Sequence, residues 1–129
     1  MGQNEKARAV VESAYEFRST SAKTPEVVSA AALAAAEQSG GRLRGTVVNV
    51  GGHKDDDGTL TSFFVVKGPG GFVDIMDFAV TAKPHDGKTT VSLDVGNFTF
   101  QKGSLGMKPT INGKVLIAKY VVLLQAALQ

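Results

Sequence analysis

The chain has no cysteine and no tryptophan among its 129 residues. Without cysteine there is no disulfide framework, no thiolate metal site and no cysteine nucleophile. No apolar run reaches the roughly 18–20 residues that cross a bilayer. The nearest approach is Val115–Leu128, where Lys119, Tyr120 and Gln125 interrupt the apolar residues. There is no Gly-x-Ser-x-Gly elbow to hold a serine nucleophile. Gly68-Pro69-Gly70-Gly71 lacks the Lys and Ser/Thr of a phosphate loop and reads as a turn. Residues 1–6 are polar and no uninterrupted apolar segment follows, so a secretion signal is not expected and a cytoplasmic location is. Acid is missing from residues 95–129, which carry Lys102, Lys108, Lys114 and Lys119. All 12 Asp and Glu therefore lie in the first 94 residues, beside 10 of the 14 Lys and Arg. Such a basic tail suits the end of a helix, and it leaves an anionic membrane surface open as a partner.

What is present is an ordinary globular composition, 43% apolar and 20% charged, with 15 glycines to serve turns. Residues 1–9 read as a flexible terminus and 10–129 as one domain. Val11, Ser13, Tyr15 and Phe17 alternate with polar or small residues, which favours a strand over 10–19. Ala7, Val10, Val11 and Ala14 also fit helical spacing. A helix follows: Thr24 as cap, Pro25 and Glu26 in its first turn, Ser39-Gly40-Gly41 as its stop. Val27, Ala30, Ala31 and Ala34 form its expected inner face, small enough to sit close on a sheet.

Four strands are expected next, over 42–50, 59–67, 72–83 and 89–102. The links are turn sequences: His53–Gly58, Gly68–Gly71 and Pro84–Gly87. Short glycine-containing links of this kind make antiparallel hairpins. In the last strand the apolar phase changes from Val91, Leu93 and Val95 to Phe98 and Phe100. A β-bulge at Gly96-Asn97 would restore a single face. After the linker Ser104–Gly113, with Thr110 or Asn112 as a cap, a final helix is expected over 113–128. Leu116, Tyr120, Leu123, Leu124 and Leu128 form its sheet-facing stripe. Ile117, Val121 and Val122 are left toward the other side.

The order is strand, helix, four-stranded meander, long helix. The helix start Thr24-Pro25-Glu26-Val27-Val28 follows a strand ending at Phe17, and the last helix follows a Gly/Pro loop. This β-α-β4-α layout resembles the helix-grip arrangement of the Bet v 1-like superfamily (START and polyketide cyclase-like proteins) and the related TATA-binding-protein-like fold. The resemblance covers residues 10–129. It implies a curved antiparallel sheet wrapped on the terminal helix, with a groove that in such families often holds lipids or other hydrophobic molecules. No catalytic residue carries over, because no motif matches.

Candidate chemistry is sparse. His53 and His85 sit in turns, and Asp55–Asp57 fails the spacing of a calcium loop, so no metal or cofactor is expected. Asp74 shares its parity with Met76, Phe78 and Val80. Facing the core, it would be an acid of raised pKa or a ligand anchor; with Asp74 outside, Asp77 would be the inward carboxyl. Arg42 and Arg44 with Phe63, Phe72 and Phe98 as stacking residues do not make an RNA-binding pattern, and nucleic acid is not expected as a partner. The reading is an α+β binding module without enzymatic activity. An apolar small molecule or lipid would lie between sheet and last helix, lined by Phe64, Phe78, Leu93, Leu116, Tyr120 and Leu124, with Asp74 at its edge. The alternative is a ligand-free structural or interaction domain that forms a homodimer through Ile117, Val121 and Val122.

Overall fold

A computed structural model describes residues 2–41 and 44–129. The chain begins with α1 (Gln3–Ala14), β1 (Phe17–Ser21) and α2 (Pro25–Ser39). A meander follows: β2 (Thr46–Lys54), β3 (Leu60–Lys67), β4 (Asp74–His85) and β5 (Lys88–Phe98). The short strands β6 (Phe100–Gln101) and β7 (Thr110–Ile111) form a ribbon of their own, and α3 (Lys114–Ala127) comes last. The five main strands are antiparallel in the order β1-β5-β4-β3-β2. The fold is α+β, as the hydrophobic patterning predicts. Arg42 and Leu43, expected at the start of β2, lie outside the described residues.

The first segment departs from expectation. Residues 3–14 are helical, in place of a flexible end running into a strand at residue 10, and only Phe17–Ser21 is extended. The helical spacing prevails over the alternation because it buries Ala7 and Val11 completely. A second cause lies at the sheet edge. β1 pairs with β5 only as far as Phe17 opposite Leu93, so Val95 has no backbone neighbour on that side. Side chains take the place of that neighbour. The Val95 N–H donates to Glu16 Oε2 at 2.7 Å, and Arg8 Nη1 donates to the Val95 carbonyl at 2.7 Å. Arg8 and Glu16 are themselves paired at 3.2 Å. Backbone polar groups that would otherwise lack a partner are thereby satisfied.

α2 has its expected limits, and Thr24 Oγ1 accepts the Val27 N–H at 3.3 Å. Its small side chains let it pack closely on β2, β3, β4 and α3. The buried face is nevertheless Val28, Ala32, Ala35 and Ala36, while Val27, Ala30 and Ala34 face outward. In a helix this rich in alanine every side looks apolar, and spacing alone does not select one.

Of the expected stripe, α3 buries Leu116, Tyr120 and Leu124, Leu128 is buried just past its end, and Leu123 is only half-buried. Neither expected cap is used. Gly113 occupies the cap position at φ 78°, Thr110 lies in β7, and the Asn112 side chain donates to Thr99 Oγ1 at 2.9 Å. The other end is held from the end of β1 and the β1–α2 connection. Lys23 Nζ donates to the Ala127 carbonyl at 2.6 Å, and Ser21 Oγ to that of Leu128 at 2.7 Å. A cation at the negative end of the helix is favourable.

The bulge expected at Gly96-Asn97 is there. Met76 pairs with Phe98 and Phe78 with Val95, so two residues of β5 oppose Asp77 alone. Asp77 locks this arrangement. Its Oδ1 accepts the Asn97 N–H at 3.1 Å and its Oδ2 the Asn97 side-chain amide at 3.0 Å. Glycine at 96 leaves room for the Asp77 carboxylate, which a Cβ there would push aside. Replacing Asp77 by alanine is expected to cost about 2 kcal/mol in a urea unfolding curve, the usual worth of hydrogen bonds to a charged group. A change below about 0.5 kcal/mol would show that the bulge holds without its clamp. A second bulge lies in the edge strand β2, where the register shifts across Val50. Asn49 Nδ2 donates to the carbonyls of Gly51 and Phe63, both at 3.0 Å.

Candidate functional site

Six of the seven expected ligand-lining residues converge between the sheet and α3. Phe64 on β3 and Phe78 on β4 stack with ring centroids 5.1 Å apart. Tyr120 closes over both, 5.6 Å from Phe64 and 4.8 Å from Phe78. Its hydroxyl donates to the Ala32 carbonyl at 3.0 Å, so even its polar end is used inside the protein. Leu93, Leu116 and Leu124 complete the cluster, and none of the six side chains exceeds 2% exposure. Burial pushes the Tyr120 phenol well above its ordinary pKa.

Asp74 is elsewhere. It precedes a register shift between β3 and β4, stands in solvent, and pairs with Lys67 Nζ at 2.7 Å. The irregular pairing turns the start of β4 outward and breaks the parity argument that placed Asp74 beside Met76. Asp77 does not face the core either, being spent on the bulge. His53 and His85, expected in turns, stand instead near the ends of β2 and β4, exposed; His53 lies 2.8 Å from Asp55 and His85 3.2 Å from Asp86. Among the described residues no three His, Asp or Glu side chains gather as a metal site. Asp57 at the tip of the β2–β3 turn has its pKa lowered, chiefly by the backbone N–H of Thr59, which reaches its Oδ1 at 2.9 Å.

The surface of α3 also differs from expectation. Ile117 is fully buried and Val121 half-buried, which leaves only Val122 of the three exposed. α2 and the sheet together surround more of this helix than one apolar stripe requires.

The larger apolar exposure is on the face of the sheet opposite α2 and α3. Val48 pairs with Val65, Phe63 pairs with Ala79, and the bulged Val50 lies beside Phe63. Val48, Val50 and Phe63 are 38%, 57% and 43% exposed. Val50 and Phe63, with Val65, Ala79 and Gly96, border an open hollow of about 510 Å³, rimmed by Asp77 and Asp94. No family model, curated protein or solved structure matches the chain. Geometry therefore carries the functional reading. The hollow has no nucleophile beside a base; what it offers is apolar contact area with two carboxylates at one border.

The sequence carried a signal for this face. Val47-Val48, Phe63-Phe64 and Val65-Val66 are adjacent apolar pairs in strands, and adjacent strand residues point to opposite sides. A sheet covered on one side only must expose one member of each pair.

Proposed function

We propose that this chain is a non-enzymatic interaction domain that forms a homodimer through the open face of its sheet. The observation that carries the reading is the strip Val48, Val50, Phe63, Val65 and Ala79 across three adjacent strands, most of it bordering one open hollow. Exposed apolar strips of this kind mark contact sites, and a two-fold pair is the commonest way to cover one. The dimer surface expected on α3 has less support, because Ile117 is buried. The ligand reading also has less support: Phe64, Phe78 and Tyr120 occupy the space between sheet and α3. In favour of a helix-grip-like layout, β1 lies beside β5, so the meander is flanked by the first strand, and the last helix packs on the same face as α2.

Sedimentation velocity and native mass spectrometry test this together. The wild-type chain is expected to be a dimer at tens of micromolar, and Phe63→Asp a monomer with an unchanged melting temperature. A wild-type monomer throughout that range overturns the dimer. A bound mass of a few hundred daltons, lost on denaturation, would restore the ligand reading.

A further inference from the structure

One end of the molecule combines a projecting aromatic with Arg44 and Lys114. The β3–β4 connection passes through a single 3-10 turn, Pro69–Gly71, and then Phe72 and Val73. Phe72 is 91% exposed and Val73 61%. The connection is held rather than loose: Gly68 N–H donates to the Val73 carbonyl at 2.8 Å, and Gly71 N–H to that of Gly68 at 3.0 Å. The apolar pair is thus presented at a fixed tip.

Two further segments meet this end. Gly45 abuts the backbone of Lys67 and Gly68, and Gly113 abuts Ile75 and Val66. Arg44 and Lys114 therefore flank the same end, and together with the half-exposed Val115 they line one cleft. In the segments 44–46, 66–75 and 111–116 the sole acid is Asp74, and Lys67 already engages it. Lys114 stands in the first turn of α3, where the helix dipole favours an acid; α1 and α2 have Glu5 and Glu26 there. A cation is kept at a position where it works against the helix.

We propose that this end docks on an anionic lipid surface, with Phe72 and Val73 entering the interface and Arg44 and Lys114 against the headgroups. Charge complementarity selects the partner. A projecting tip of two apolar residues suits a soft interface better than the flat patch of a protein contact, and nearby Lys and Arg add attraction to acidic headgroups. This surface is separate from Phe63, so it does not depend on the dimer.

Co-sedimentation of the full chain with vesicles tests the proposal. The vesicles are 30% phosphatidylserine in phosphatidylcholine, or phosphatidylcholine alone, at physiological salt. The wild type is expected to bind the first and not the second. Phe72→Ser is expected to weaken binding at least tenfold, as loss of a buried phenylalanine implies. Lys114→Glu is expected to weaken it by at least fivefold, while its melting temperature stays level or rises. No binding to the anionic vesicles overturns the proposal. So does binding that needs Lys114 but not Phe72, which is adsorption by charge alone, or a Lys114→Glu variant that binds as the wild type does.

Discussion

Tyr120→Ala lowers the unfolding free energy by about 4 kcal/mol, the cost of emptying an aromatic site in a packed core. Tyr120 is fully buried against Phe64, Phe78 and the Ala32 carbonyl, so no side of the cavity can collapse without moving a helix or the sheet. Tyr120→Phe keeps the ring contacts and loses one hydrogen bond, a cost of about 1 kcal/mol. The pair separates packing from polarity. Alkaline pH supplies a further readout. Burial raises the folded-state pKa of Tyr120 above the unfolded value near 10, so below that pH the phenol is neutral in both states. Its contribution is then fully present, and it is lost as pH climbs above about 10, where the unfolded chain alone ionises. The slope approaches about 1.4 kcal/mol per pH unit for one phenol. Tyr15, also raised by burial but only partly covered, adds a lesser share. Urea titrations at pH 8 and pH 11 should show this loss in the wild type and much less of it in Tyr120→Phe. Equal losses in both would mean that Tyr120 ionises without unfolding.

Gly45→Ala should destabilise by about 3 kcal/mol, through two costs that act together. Residue 45 has φ of +104°, a region that L side chains rarely adopt. A Cβ there would also run into the Lys67 carbonyl, which belongs to the sheet and cannot turn away. Overpacking and strained backbone each cost of the order of 1–3 kcal/mol. Gly41→Ala is the control, since a Cβ at Gly41 meets nothing within 4 Å. It should change stability by less than about 0.5 kcal/mol. Similar midpoints for the two variants in urea would show that the approach of Gly45 to Lys67 has room to relax.

The strands were legible in the sequence because their pattern and their turns agree. Asp86 and Gly87, both at positive φ, make the two-residue turn that a hairpin favours, and the phase change after Val95 marked a bulge in advance. Local pattern failed where long-range contacts decide. The helical state of residues 3–14 rests on Val11 entering the core and on Arg8 reaching Val95, which no local window contains. The sequence leaves open whether Asp74 or Asp77 faces the core, and neither does, because each sits where strand pairing is irregular and alternation no longer reports the face. The cluster around Tyr120 was found as a group, although apolar residues at such spacing do not distinguish a filled core from a lined cavity. Only the approach of the three rings makes that distinction.

The place of β1 in the sheet sets an order of assembly. Phe17 pairs with Leu93, and Ser21 with Thr89, so the first strand has no sheet partner until β5 exists. On the ribosome α1, β1 and α2 emerge early, while β1 and the face of α2 meant for β2, β3 and β4 wait for the whole meander. Closing so long a loop before any contact rewards it is slow, so the pairing of β1 with β5 is expected late in folding. For that interval Ala32, Ala35 and Val28 are without their cover. A chain released before β2, β3 and β4 are made would keep them so, as a target for chaperones and proteases.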